Sequence, residues 1–231
     1  LVEFEIDLAS ICELILLFPE SPGSFTELGC FYTNELTRSK LFVAVVQSYL
    51  GDPGFVNQGP LAGLLRTQPN SVHAIVEGSI NYNKPHIADI NQSELIRLVK
   101  PSFNRRMNEA KGHTKFNSRN FNHLCKLYVG MLREAICLTD DELILMFDAL
   151  RIPIQQRDLD RISFCCKQLK WADYTRRGLD RLHFANRDLN EAASFKFLSE
   201  RGDKIRRRSE FRDHWQINEP DRLAAIGRVS I

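Results

Sequence analysis

The stretch FPESPGSFTELGCF, residues 18–31, sets two carboxylates, Glu20 and Glu27, on either side of a Ser-Pro-Gly-Ser turn. It follows the apolar run Leu14–Phe18, which reads as a buried strand, and it opens a helix. In open parallel sheets, ligands sit beyond the carboxyl ends of the strands. Gly23 lacks a Cβ and lets the backbone come close to a bound group. Ser24 is placed to cap the helix, with Glu27 three residues on completing a Ser-x-x-Glu capping box. The free N–H groups and positive dipole end of a helix start suit a phosphate. The same residues also make an ordinary capped turn, because a capping-box glutamate needs no chemical role. Spacing alone leaves both readings open.

The elements that must position this turn follow from hydrophobic periodicity. Phe4, Leu8 and Ile11 give helical spacing over residues 1–12. Residues 13–18, 41–46 and 72–76 read as buried strands, with helices over 24–38 and 55–66 between them. Helix and apolar strand in alternation predict a parallel α/β sheet covered on both faces. The polar stretch 86–115 reads as a linker with a bridging helix near 92–99. From residue 116 the pattern is helical: 118–136, a helix capped by Thr139-Asp-Asp-Glu142 through about 150, and 155–170. Two short strands around Arg176-Arg177-Gly178 follow, then a helix at 188–200 and a basic, aromatic tail. Three helices and a small hairpin is the element order of a winged helix-turn-helix.

Composition narrows the classes. No apolar run approaches the roughly 18–20 residues of a membrane span, so no membrane partner is expected. Residues 1–12 carry Glu3, Glu5 and Asp7, the wrong charge for a secretory leader. The six cysteines show neither CxxC pairs nor zinc-finger spacing, which predicts reduced thiols, a cytoplasmic location and no metal site. Charge is uneven: residues 1–100 hold 6 Lys+Arg and 11 Asp+Glu, and the rest of the chain holds 25 and 18. An acidic front and a basic back suggest two units with different partners, the second facing a polyanion.

Residues 13–31, ELILLFPESPGSFTELGCF, and 39–60, SKLFVAVVQSYLGDPGFVNQGP, resemble the nucleoside 2-deoxyribosyltransferase-like effectors that accompany retron reverse transcriptases. The resemblance covers residues 3–61, and by element order alone residues 116–185. It implies a Rossmann-like, deoxyribosyltransferase-like catalytic domain over 1–85 that lacks its first βα unit. It further implies a linker over 86–115, a winged-helix domain over 116–187 and a basic helical extension over 188–231. In deoxyribosyltransferases the nucleophilic glutamate stands in a pattern like D-x-G-T-x-x-E-x-G. Gly23, Ser24, Glu27 and Gly29 match it, whereas the opening Asp position holds Ser21, with Glu20 just before it. A carboxylate suits N-glycosidic cleavage because it stabilises, or bonds to, the cationic sugar.

Carried onto this chain, the resemblance implies Glu27 and Glu20 as catalytic residues. Ser21, Gly23, Ser24, Asn57 and Gln58 would bind substrate, the last two through amides that reach sugar hydroxyls or base edges. His73 and Glu77, near the third strand, read chiefly as structural. NAD is the first-choice substrate and nucleotides the second, with no cofactor. The implied role is an anti-phage toxin held in check by the retron reverse transcriptase and its msDNA or RNA, in a homo-oligomer. On the winged-helix reading, Arg157, Arg161, Lys167 and Lys170 on the third helix, and Arg176 and Arg177 at the wing tip, would contact nucleic-acid phosphates. Lys204, Arg206, Arg207 and Arg208, with Phe211 and Trp215, would add backbone contacts and a stacking ring. The rival reading is a non-enzymatic winged-helix DNA-binding protein whose α/β half senses a nucleotide. A third is an inactive subunit of a ribonucleoprotein.

Overall fold

The computed structural model of the chain describes residues 2–51, 53–82, 89–109, 115–186 and 203–227. They form two compact units, Leu1–Thr114 and Lys115–Ile231. The architecture is mixed α/β, mostly helical, with a three-stranded sheet in each unit. The helix expected at 188–200 lies outside the described residues.

The first unit is organised by one strand. In β2 (Leu41–Val46) all six side chains are buried. β1 (Ile15–Leu17) and β3 (Val72–Ile75) flank it, both parallel to it, in the order β1-β2-β3. A strand alternates its side chains between faces. Leu41 and Val43 therefore pack with Ala9, Leu28, Phe31, Leu61 and Leu64, from α1 (Val2–Ile11), α2 (Pro22–Thr33), the 57–61 turn and α5 (Ala62–Thr67). Phe42 and Ala44 pack on the other face with Ile75, Ile80 and Val99, the last from α6 (Gln92–Glu109). Burying each such Leu, Val or Phe contributes about 1.5–3 kcal/mol, which makes β2 the anchor of both layers. α6, over the stretch read as a bridging helix, thus covers the sheet of this unit and runs to Glu109.

Local sequence sets the remaining boundaries. The helix expected over 24–38 is two: Asn34 leaves the helical conformation and its side chain caps α3 (Glu35–Arg38). The buried Thr37 hydroxyl donates to the Phe31 carbonyl at 2.7 Å and ties the two together. Residues 57–61 form a π-helical turn ahead of α5, and a short helix α4 (Gln47–Leu50) follows β2. α5 approaches α2 so closely that a Cβ at Gly63 would lie 1.9 Å from the Tyr32 hydroxyl.

The second unit runs α7 (Phe121–Ala135), β4 (Cys137–Thr139), α8 (Asp140–Ala149), α9 (Gln156–Gln168), β5 (Ala172–Arg177), β6 (Asp180–Ala185), α10 (Lys204–Asn218) and α11 (Pro220–Gly227). Its sheet is antiparallel, in the order β4-β6-β5. The hairpin turns at Gly178, whose φ of 63° a β-carbon would oppose. The strand β4 is not legible in the sequence, because three residues between two helices carry no periodicity. The capping box at Thr139 and Glu142 is present as expected.

A buried polar chain locks this unit. His183 on β6 is fully buried; its Nδ1 meets the Tyr128 hydroxyl at 2.7 Å and its Nε2 meets Asp140 Oδ1 at 2.5 Å. Asp140 also accepts two bonds from Arg181, at 2.9 and 2.8 Å. A carboxylate only accepts, so Nε2 carries the proton and Nδ1 accepts from tyrosine. Burial pushes the His183 pKa down, and Arg181 already neutralises the aspartate that would oppose this. Burial works to raise Asp140, but the bonds from Arg181 and His183 outweigh it and hold the carboxyl below its ordinary value.

Among the described residues no helix is long and apolar enough to cross a membrane. All six cysteines are free thiols.

The His183 arrangement fixes a pH dependence. The unfolded imidazole takes up a proton below about pH 6.5 and the folded one resists it, so stability is complete above that pH and falls as pH is lowered. Asp140 adds a further loss below about pH 4. His183→Gln should cost about 1–3 kcal/mol at pH 7 and flatten the decline between pH 7 and 5. Denaturant unfolding at several pH values measures both.

Candidate functional site

The turn after β1 is built differently from the sequence expectation. The helix α2 begins at Pro22, and Ser21 is its cap. Proline suits a first helical position because its ring presets φ and it has no N–H to satisfy. The capping box is Ser21 with Ser24: the Ser24 N–H donates to Ser21 Oγ at 3.2 Å, and the Ser21 N–H to Ser24 Oγ at 2.9 Å. The Glu20 N–H also donates to Ser24 Oγ, at 2.9 Å. The expected Ser24–Glu27 box is therefore corrected. Glu27 lies in the second turn, where the helix dipole, which fades within the first turn, favours it little. Freed of capping, its half-buried carboxylate has no hydrogen-bond or ion-pair partner among the described residues. Gly23 is exposed, and a Cβ there would meet only Ser21 Oγ at 3.7 Å, so packing does not require glycine.

Each strand delivers a polar group just past its carboxyl end. After β1, the Glu20 carboxylate accepts the Tyr82 phenol proton. After β2, the Ser48 N–H donates to Glu77 Oε1, which follows β3, at 2.8 Å. That bond holds the Glu77 carboxyl below its ordinary value. Burial first, and then the Glu20 carboxylate, push the Tyr82 phenol well above the tyrosine range. His73 stacks on Phe42, 6.3 Å between ring centres, and burial lowers its pKa, in keeping with a structural residue.

A cavity of about 180 Å³ lies at the same edge, lined by Pro19, Phe25, Val45, Tyr49, Phe55 and Asn57 among others. The Asn57 amide donates to the Tyr49 carbonyl. Of the expected substrate residues only Asn57 reaches this cavity; Gln58 is exposed, and Glu20, Ser21, Gly23, Ser24 and Glu27 do not line it. Phe25 does, and Glu27, two positions on, is about 200° further round the helix and faces away from it. Tyr82, Phe25, Tyr49 and Phe55 are the residues sequence reasoning missed. Phe25 and Phe55 stand inside the quoted stretches, Phe25 where its spacing reads as helix core and Phe55 at the start of the helix expected over 55–66.

In the second unit the predicted nucleic-acid contacts divide. Arg157, Arg161, Lys170 and Arg176 are exposed, with Arg161 also lying 5.2 Å over the Phe121 ring. Lys167 is paired with Asp173 at 2.7 Å and sits over Tyr174. Arg177 is paired with Glu219 at 2.7 Å. Lys167 and Arg177 are thus held in ion pairs within the unit. The tail is engaged as well: Arg206 pairs with Glu210 and Arg207 with Glu134. Trp215 is buried, donates to the Ala135 carbonyl at 2.8 Å and lies under Arg222 at 4.1 Å. It is a core residue and not the stacking ring expected.

Residues 1–174 match the family described as STM3845 retron effector protein, and the chain belongs to that family. Over 72 residues, 31% of the chain, it is 43% identical to the "Retron Ec86 putative ribosyltransferase/DNA-binding protein" of Escherichia coli. Over 73 residues, 32% of the chain, it is 32% identical to the "Retron Ec73 putative ribosyltransferase/DNA-binding protein" of the same organism. The chain spans about a quarter of each of these curated relatives, 24% and 23% of their lengths.

The revised cap makes a direct test. Ser21→Ala should lower the stability of the first unit by about 0.5–2 kcal/mol. Glu27→Gln, which removes no contact, should stay within about 0.5 kcal/mol of the parent. Equilibrium unfolding of the two variants separates a capping role from a chemical one.

Proposed function

We propose that the chain is part of a toxin effector of a retron anti-phage system, with a Rossmann-like N-glycosidase unit and a winged-helix unit that docks on nucleic acid. The observation that carries the enzymatic half is Glu27. It stands in the second turn of the helix that follows the first strand of a parallel sheet, in the family's glutamate pattern, and its carboxylate has no hydrogen-bond or ion-pair partner among the described residues. The names of the curated relatives, ribosyltransferase among them, point the same way.

On this reading the substrate is NAD or a related nucleotide. The Glu27 carboxylate bonds to, or stabilises, the anomeric carbon as the C–N bond breaks. The bonding pair goes to the ring nitrogen, so nicotinamide leaves neutral without a proton. Water then attacks the anomeric carbon: its hydroxyl stays on the sugar, its proton passes to solvent, and the carboxylate is regenerated. Asn57, across α2 from Glu27 with its amide given to the Tyr49 carbonyl, stands apart from the sugar. Glu20, held by Tyr82, positions the substrate, while Ser21 and Ser24 shape the turn through the cap. Gly23 and Gln58 are exposed beside it.

For the second unit, the element order α7-β4-α8-α9-β5-β6 with sheet order β4-β6-β5 supports a winged helix. Its polyanion would be the retron msDNA or RNA, with the reverse transcriptase as a second partner restraining the toxin. A homo-oligomer would complete the sugar site. One observation favours the sensor reading instead: the aromatic cavity and Glu27 occupy different sides of α2, as a ligand site unconnected to chemistry would.

Two experiments test the proposal. Chromatography of reactions with NAD, nucleosides and nucleotides should find a released base, reduced about 1,000-fold or more by Glu27→Gln; release unaffected by that change would exclude Glu27, and no release with the partners present would favour the sensor. In DNA binding, Arg157→Gln and Arg176→Gln should each lower the salt slope by about one. Lys167→Gln, whose cation is already paired, should leave it unchanged.

A further inference from the structure

We propose that the outward face of α9 reads A·T base pairs in duplex DNA, with Phe164 placed for the thymine methyl and Gln168 for the adenine edge. The inference rests on the nucleic-acid reading of the second unit and adds a base preference to it. α9 packs on α7, α8 and β5, and its Leu159, Ile162, Cys165 and Cys166 are buried. Arg157, Arg161, Phe164 and Gln168 are exposed. At 3.6 residues per turn these four fall within about 60° of one another, a single stripe along the helix. Arginine and glutamine are ordinary surface residues. Phe164 is the exception, an aromatic ring 46% exposed in the middle of a polar stripe. Gln168, one turn on, has a side-chain amide with no hydrogen-bond partner among the described residues.

The chemistry of the stripe selects its occupant. In the major groove an A·T pair shows adenine N7 and N6 beside the thymine C5-methyl. A glutamine amide donates to N7 and accepts from N6 at once, and an apolar side chain covers the methyl. Exposed cations stand at both ends of the stripe, Arg157 and Lys170, and Arg176 lies on β5. They suit the phosphates on either side of a groove. The acid beside the stripe, Asp160, has its carboxylate taken by Gln156 at 3.1 Å and by Arg181, so it opposes a polyanion little. Duplex RNA does not fit this face, because its deep, narrow major groove keeps side chains out.

Fluorescence anisotropy on the full chain tests this with three probes: an alternating dA·dT duplex, the same duplex with uracil for every thymine, and an alternating dG·dC duplex. The uracil duplex differs only in lacking the methyls. The parent should bind dA·dT about fourfold tighter than dA·dU for each methyl covered, and tighter still than dG·dC. Phe164→Ala should erase the thymine–uracil difference and keep the salt slope, since no phosphate contact is lost. Phe164→Leu, which keeps an apolar side chain, should retain part of the difference. Gln168→Ala should narrow the preference over dG·dC about fivefold or more. Equal binding of the thymine and uracil duplexes by the parent, a difference that persists in Phe164→Ala, or a preference over dG·dC unmoved by Gln168→Ala would overturn the base reading and leave nucleic-acid docking standing. Binding of none of the duplexes would overturn both.

Discussion

The burial of β2 on both faces is the constraint on which the first unit depends. A strand with six buried side chains cannot lie at a solvent-facing sheet surface; it needs a helical layer on each side and a partner strand along each edge. The helices α1, α2 and α5 answer one face and α6 the other, while β1 and β3 answer the edges. Parallel pairing then forces all three strands to end at the same edge. Glu20, Ser48 and Glu77 are gathered there because of where their strands stop, although they are far apart in sequence.

Much of this was legible in the sequence, and for a physical reason. A doubly covered strand is continuously apolar, so Leu41–Val46 reveals itself without an alignment, and the alternation around it predicts parallel pairing. What escaped was short or ambiguous. The Ser-Pro-Gly-Ser turn offers two overlapping caps, and the choice between Ser21 and Ser24 decides which turn of α2 carries Glu27. Proline at the first helical position was the available signal. β4 has three residues and the cap at Asn34 a single one, too little for any periodic pattern.

Side-chain partners were less legible than elements. Lys167 and Arg177 belong to a basic stretch, yet each meets an acid on a different element, Asp173 on β5 and Glu219 just after α10. Asp140 looked like part of a capping box and also closes the buried chain through His183 to Tyr128. Trp215 looked like an exposed ring in a basic tail, but the tail folds back on the second unit and buries it. A charge count cannot separate a cation facing solvent from one consumed by the fold. Pairing geometry does so for Lys167 and Arg177; Arg157, Lys170 and Arg176 are exposed, and Arg161, exposed too, lies over the Phe121 ring.

The central claim is that ligand chemistry occurs at the carboxyl edge of the small parallel sheet. Amide hydrogen exchange read by mass spectrometry, with and without NAD or a nucleotide, tests it most directly, because it locates ligand contact without requiring turnover. The account predicts slower exchange in peptides spanning residues 18–31 and 47–61, with little change in α7 to α9. Protection confined to the second unit, or absent from both loops while the ligand is demonstrably bound, would contradict it.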